Sequence, residues 1–316
     1  MPKTKEILKG LGISVITFII LFLLLEIFLI VVDYPVRVPN TKISSENPLL
    51  VYINRPYAKV SSKESFNSDG LRDREYNLEK PVDTVRIAIL GDSVAYGDRI
   101  DSREEIFSEI LEYSLNLLGE KNFEVINFGV GGYNIVQEVE LYNEKASRYN
   151  PDIIILAYVL NDPDDISMKI TEKSKFKTII STLERIRFVN FFYDYSYALR
   201  KQEYDNKMDY IEYLHSEKIE KVRSAFQELG NVDKRVVVVL FPVFSDFAEY
   251  KWEEEHDIIG NLAREMNFEF LDLFDAYSEF DAKDLRISKL DVYHPNELGH
   301  KIAADAIYDY LSDDEK

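Results

Sequence analysis

Val85-Arg86-Ile87-Ala88-Ile89-Leu90-Gly91-Asp92-Ser93 is the stretch that decides the fold. Its aliphatic run is the length of a strand rather than of a helix, and it stops at a glycine followed by two small polar residues. Outward from it, strand and helix patterns alternate. Ile106 to Leu118 carries apolar residues at helical spacing, and Glu124 to Phe128 reads as a second strand halted by Gly129, Gly131 and Gly132. A helix over Ile135–Tyr149 follows, then the apolar strand Ile153–Val159, as expected of a parallel strand covered on both faces. Val236–Phe241 and Phe268–Leu273 supply two more strands, with a helix around Trp252–Met266 between them and a closing helix over Glu297–Leu311. The expectation is an α/β fold, a three-layer α/β/α sandwich on a five-stranded parallel, flavodoxin-like sheet. Such a fold binds ligands beyond the carboxyl ends of its strands.

One connection departs from the alternation. About 75 residues separate the third strand from the fourth, where α/β loops normally run to a few residues. Residues 163–205 read as an insertion over the site, and the charged helical pattern of Asp209–Leu229 as the ordinary crossover. The insertion carries an aromatic run, Phe188 to Tyr197, that suits either a pocket lining or core.

Before the first strand lie two other segments. Leu11 to Val32 is apolar except for Glu26, and at 1.5 Å per residue it reaches about 33 Å, enough to cross a bilayer core. Lys3, Lys5 and Lys9 precede it and no basic residue directly follows, so the N-terminus is expected in the cytoplasm and the remainder outside. The run exceeds a signal peptide's usual core and lacks a small-residue cleavage site, which favours an uncleaved single-pass anchor. Glu26 reads as a carboxylate that reaches the outer interface or is protonated, with a partner-binding role as the alternative. Residues 34–82 read as an extracytoplasmic connector rich in Pro, Asn and Ser, containing the polar patch Asn67-Ser68-Asp69-Gly70-Leu71-Arg72-Asp73. The chain thus divides into an anchor at 1–33, this connector, and a domain at 83–316.

Composition narrows the function. A formal charge of −19 over 316 residues repels phosphate backbones, so nucleic acid is not expected as a partner. With no cysteine there is no disulfide, thiolate metal site or Cys nucleophile. His215, His256 and His300 read as helix-surface residues outside any metal site, and no cofactor is expected.

The polar residues at the strand ends do carry chemistry. Ser93 follows the first strand, Asn127 to Gly132 ends the second, Asn161-Asp162 ends the third, and Asp291-Val292-Tyr293-His294 lies near the C-terminus. Acyl transfer needs a nucleophile, a base, a carboxylate orienting that base and donors for an oxyanion. Ser93, His294 and Asp291 are the candidate catalytic residues in those three roles. The N–H groups of Ser93 and Gly132 and the amide of Asn161 are the candidate oxyanion hole. Each block has a plainer reading: Ser93 as a helix cap, the glycines and Asn161-Asp162-Pro163 as turns, Asp291 or His294 as caps of the last helix. Asp272 and Asp275 are rival acids.

These four blocks, in this order, resemble the SGNH or GDSL hydrolases, a family of esterases and lipases. The resemblance runs from about residue 85 to the C-terminus, insertion excepted, with Val159 where the family's third block often has glycine. The patch Asn67 to Arg72 is similar to a segment preceding the catalytic domain in membrane-anchored members. The resemblance implies an extracytoplasmic serine esterase working through an acyl-serine, on O-acetyl esters of envelope carbohydrate or on lipid esters. An O-acetyltransferase using the same triad and a non-catalytic assembly component are the alternatives. The expected partners are the acylated substrate and the membrane.

Overall fold

The computed structural model describes residues 2–32, 41–61, 64–117, 119, 121–164, 186–189, 191–192, 195–196, 217–288 and 291–313. His215 and most of the 163–205 segment lie outside them. The chain forms two compact units, one of Met1–Asn40 with Lys173–Asn206, the other of Thr41–Glu172 with Lys207–Lys316.

In the first unit, helix α1 spans Pro2–Val31. Its Glu6–Val31 portion is long and apolar enough to cross a membrane, with a mean hydropathy of 3.0. Side chains such as Ile13, Phe18 and Leu24 are exposed, as in a helix made for an apolar solvent. The exception is a stripe at helical spacing, in which Leu29 is buried and Phe22 and Glu26 are half-buried. There Glu26 accepts hydrogen bonds from the backbone N–H groups of Arg187 (3.0 Å) and Phe188 (2.8 Å), and the Phe188 ring meets Phe22 edge-on at 5.2 Å. Glu26 is therefore engaged within this unit rather than idle. It satisfies two backbone donors that an apolar setting would leave costly. Of the aromatic run, Phe191, Phe192 and Tyr195 remain exposed, so these residues are not core.

In the second unit, β1 (Lys42–Ser44) and β2 (Tyr52–Asn54) pair as an antiparallel ribbon. The main sheet consists of β3 (Thr84–Gly91), β4 (Asn122–Asn127), β5 (Ile153–Val159), β6 (Arg235–Phe241) and β7 (Glu269–Asp272). Its order is β4-β3-β5-β6-β7, and every neighbouring pair is parallel. This is the flavodoxin-like sheet expected of the alternation. Ile87 through Leu90 on β3 and Ile154 through Val159 on β5 are fully buried, as central strands covered on both faces must be.

Helices complete the layers: α2 (Ser93–Tyr96), α3 (Phe107–Leu117), α4 (Ile135–Glu144), α5 (Glu217–Leu229), α6 (Glu253–Glu265), α7 (Phe274–Ser278) and α8 (Glu297–Asp313). Strand order reverses at β3, because β4 lies on one side of it and β5 on the other. That switch point opens a crevice at the strands' carboxyl ends.

Two histidines read as surface residues prove buried. His256 on α6 is held between the Asp272 carboxylate (2.7 Å) and the Tyr250 hydroxyl (2.7 Å). His300 on α8 stacks on Phe107 and accepts its N–H, and burial pushes its pKa down to about 3. The sequence around both is charged. Yet on an amphipathic helix a histidine with a long-range partner sits as readily on the inner face.

Candidate active site

All of the polar strand-end blocks meet at the crevice. β3 ends at Gly91, and the chain turns directly into α2. The cap of that helix is Asp92, whose carboxylate accepts the Val94 N–H at 2.8 Å. Ser93 is thereby the first helical residue and not the cap, and its hydroxyl is free for other partners. Its Oγ lies 2.8 Å from His294 Nε2 and 3.1 Å from Asp92 Oδ2.

His294 comes from the loop before α8, which is tied to the sheet where the Phe244 N–H meets the Val292 carbonyl at 2.7 Å. The cap of α8 is Asn296, whose side chain accepts the Gly299 N–H at 3.0 Å, so Asp291 and His294 are not spent on capping. Asp291 places both carboxylate oxygens on His294 Nδ1, at 2.9 and 2.8 Å, and also accepts the backbone N–H groups of Tyr293 and His294. The turn of four residues and the orientation of the imidazole are thus held by one side chain. Asp272, the rival acid, is occupied by His256.

The electrostatics follow from burial and pairing. Burial works against charge on Asp291, but His294 and the Arg99 guanidinium at 3.8 Å overcome it and hold the carboxyl well below its usual range. Burial likewise opposes charge on His294. Asp291 across the hydrogen bond, with Asp98 and Asp92 nearby, more than reverses this and raises its pKa to about 9. A protonated His294 turns Nε2–H toward Ser93, leaving the hydroxyl proton to Asp92. Once neutral, the imidazole can accept that proton.

The oxyanion candidates converge on the same place. Asn127 directs its amide to the Ala95 carbonyl and the Ser108 hydroxyl and accepts the Gly129 N–H, pinning the loop after β4 against α2. Gly129 is required there, since a Cβ would lie 2.4 Å from the Tyr96 nitrogen. Gly132 takes φ of +82°, the left-handed region that favours glycine. Its N–H bonds no acceptor among the described residues. Asn161 directs its amide toward Asp92 Oδ2 at 3.4 Å, a distance too long to hold it.

Four contributors lie outside the four blocks. Arg72, from the polar patch, is buried and donates to the carbonyls of Gly97 (2.6 Å) and Ile100 (2.5 Å) while pairing with Glu64. It braces the turn that follows Ser93. Asp73 accepts the Asn127 N–H at 2.9 Å at the end of β4. Lys42 and Tyr52, on the small ribbon, both donate to the Gly131 carbonyl, Tyr52 at 3.2 Å. The patch was visible as an oddity of composition. The ribbon left no signal, because strands of three residues fall below any periodicity.

Residues 89–302 match the GDSL-like Lipase/Acylhydrolase family. The chain belongs to that family. No curated protein matches it in sequence. Among solved structures it is similar to a two-domain esterase active on acetylated mannans (14% identity, 73% of this chain and 49% of that one, TM-score 0.46). It is similar also to an acetyl xylan esterase (17%, 72% and 100%, TM-score 0.48) and to a lipase/acylhydrolase from Enterococcus faecalis (13%, 72% and 95%, TM-score 0.46). The chain spans about half the length of the two-domain esterase.

Proposed function

We propose that this protein is a serine ester hydrolase with Ser93 as nucleophile, His294 as base and Asp291 as its orienting acid. The observation that carries the reading is the unbroken hydrogen-bonded chain from Asp291 through His294 to Ser93 Oγ. Neutral His294 takes the hydroxyl proton as Oγ attacks the ester carbonyl carbon. The carbonyl electron pair moves onto oxygen, where the N–H groups of Ser93 and Gly132 and the Asn161 amide bind it. As the oxyanion collapses, the alcohol's C–O bond breaks and His294 returns the proton to the leaving oxygen. Water, activated by the same imidazole, then releases the acid from Ser93. Asp291 stays ionised throughout and stabilises the imidazolium.

The alcohol side of the substrate is read as carbohydrate, with a short O-acyl group such as acetyl. Polar or charged groups gather about the triad: Asp92 on Ser93, Asn161 on Asp92, Asp98 near His294, Arg99 on Asp291 and Lys42 on Gly131. Such a rim suits hydroxyl-rich substrates better than long acyl chains. The protein is read as anchored by α1 with the catalytic unit outside the cytoplasm, on the lysines that precede the apolar span.

The test is chemical. The full chain in detergent is expected to react with a fluorophosphonate probe and Ser93→Ala not to. It is also expected to release acetate from acetylated glycans, and to favour p-nitrophenyl acetate over longer-chain esters. An unreactive Ser93 would end the serine-hydrolase reading; a preference for long acyl chains would end the carbohydrate one.

A further inference from the structure

Lys42 lies on the small β1–β2 ribbon, outside the residues that match the family. It is half-buried, and burial lowers its pKa to about 8 despite the attraction of Asp98 and Asp92. A lysine withdrawn from water needs a compensating partner. One such partner here is a peptide carbonyl, that of Gly131. The Tyr52 hydroxyl donates to the same oxygen, and the Lys42 ammonium sits 4.4 Å above the Tyr52 ring.

The ribbon is not there by chance. Tyr133 donates its hydroxyl to the Tyr52 carbonyl, and the two rings pack at 5.2 Å. Gln137 donates to the Leu50 carbonyl at 2.7 Å, and Asn47 to Glu140 and Glu144 at 2.5 and 2.7 Å. Three residues of the α4 face and one just before it therefore fix the ribbon beside the loop that leaves β4.

The carbonyl held by Lys42 and Tyr52 belongs to the same peptide group as the Gly132 N–H. That group is planar and trans, so its N–H points opposite to its C=O. A Cβ built on Gly131 would lie 3.9 Å from both Lys42 Nζ and Ser93 Cβ, so Gly131 is close to both side chains. We propose that Lys42 and Tyr52 are positioning residues that aim and polarise the Gly131–Gly132 peptide, making its N–H an oxyanion donor. This rests on the reading of Ser93 as nucleophile and Gly132 as donor. In the glycine-rich turn after β4, Gly131 and left-handed Gly132 have no Cβ to resist rotation of the peptide between them. Two donors on one face stop that rotation. A cation on the oxygen also draws electron density from the nitrogen and strengthens the N–H as a donor, as in any hydrogen-bonded chain.

The experiment uses the full chain in detergent and p-nitrophenyl acetate. Loss of a whole oxyanion donor costs about 100- to 1,000-fold in kcat, so a donor merely misaimed is expected to cost about 10- to 100-fold in Lys42→Met. KM is expected within twofold of wild type, because the lost interaction forms only in the transition state. Lys42→Arg is expected to recover most of the loss. Unchanged kcat in Lys42→Met, a rise confined to KM, or no recovery in Lys42→Arg would each overturn the proposal. If Lys42→Met does not fold, Tyr52→Phe decides, since it removes one hydroxyl and keeps the ring: kcat must fall at constant KM, and wild-type kcat there overturns the proposal. A wild-type protein inert to this ester, or a Ser93→Ala variant that still turns it over, would instead defeat the serine-esterase reading itself.

Discussion

Ser93 has two acceptors within reach, and protonation of His294 selects between them. While the imidazole is charged the hydroxyl proton belongs to Asp92; only the neutral ring draws it toward Nε2. Esterase kcat/KM is therefore expected to rise with pH and to level off near His294's value of about 9. Asp291→Asn should move that rise to lower pH and cut the plateau steeply, since the charge that raises the histidine also holds its tautomer. A rise unmoved by Asp291→Asn would show that another group is titrating. Stability carries the opposite sign. A histidine raised in the folded state contributes stability in full below about 6.5 and loses it as pH climbs to about 9. Ser93→Ala and His294→Ala should each abolish nearly all turnover, and the double variant should be hardly worse than either alone. Asn161→Ala should lower kcat with little change in KM, by about 100- to 1,000-fold for a full donor.

Two buried arginines show how elements at opposite ends of β3 differ in what they support. Arg86, fully buried at the strand's amino end, pairs with Glu124 at 2.5 Å and donates to the carbonyls of Leu78, Tyr149 and Asn77. Arg72 does similar work beyond the carboxyl end, on the turn that follows Ser93. Arg86→Met should cost about 3–5 kcal/mol and lower Tm by about 10 °C, with kcat unchanged at a temperature where the variant is folded. Arg72→Met should lower both Tm and kcat, because the turn it braces carries the residues after the nucleophile. Equal losses of kcat in the two variants would mean that Arg72 contributes stability alone. In the first unit, Glu26→Leu would strand the N–H groups of Arg187 and Phe188. Faster limited proteolysis around Phe188, without change in esterase rate on p-nitrophenyl acetate, is the expected outcome.

At the scale of the whole molecule, one apolar helix precedes a strongly acidic chain. The orientation proposed above rests on Lys3, Lys5 and Lys9, which precede the apolar run. An alkaline phosphatase fused after residue 316 should be active, and a reporter that works only in the cytoplasm should not be. The reverse pattern would remove the catalytic unit from the envelope and with it the carbohydrate substrate proposed above.

How much of this was legible depended on the range of the interactions. Strand runs such as Ile153–Val159 betray themselves by local composition, so the five-stranded parallel sheet could be read directly. Ser93, His294, Asp291, Gly132 and Asn161 were readable as candidates because each sits at a strand end or in a short spaced block. Sequence alone left each with a plainer role as cap or turn. Tertiary structure gave the capping to Asp92 and Asn296 instead and brought Ser93 to 2.8 Å from a histidine 201 residues away. Lys42 and Tyr52 were beyond reading, and Arg72 was visible only as part of a polar patch without a role, because all three act on backbone carbonyls far along the chain. Spacing records what a residue does to its neighbours within an element; what it does to a distant peptide group is decided only when the chain closes on itself.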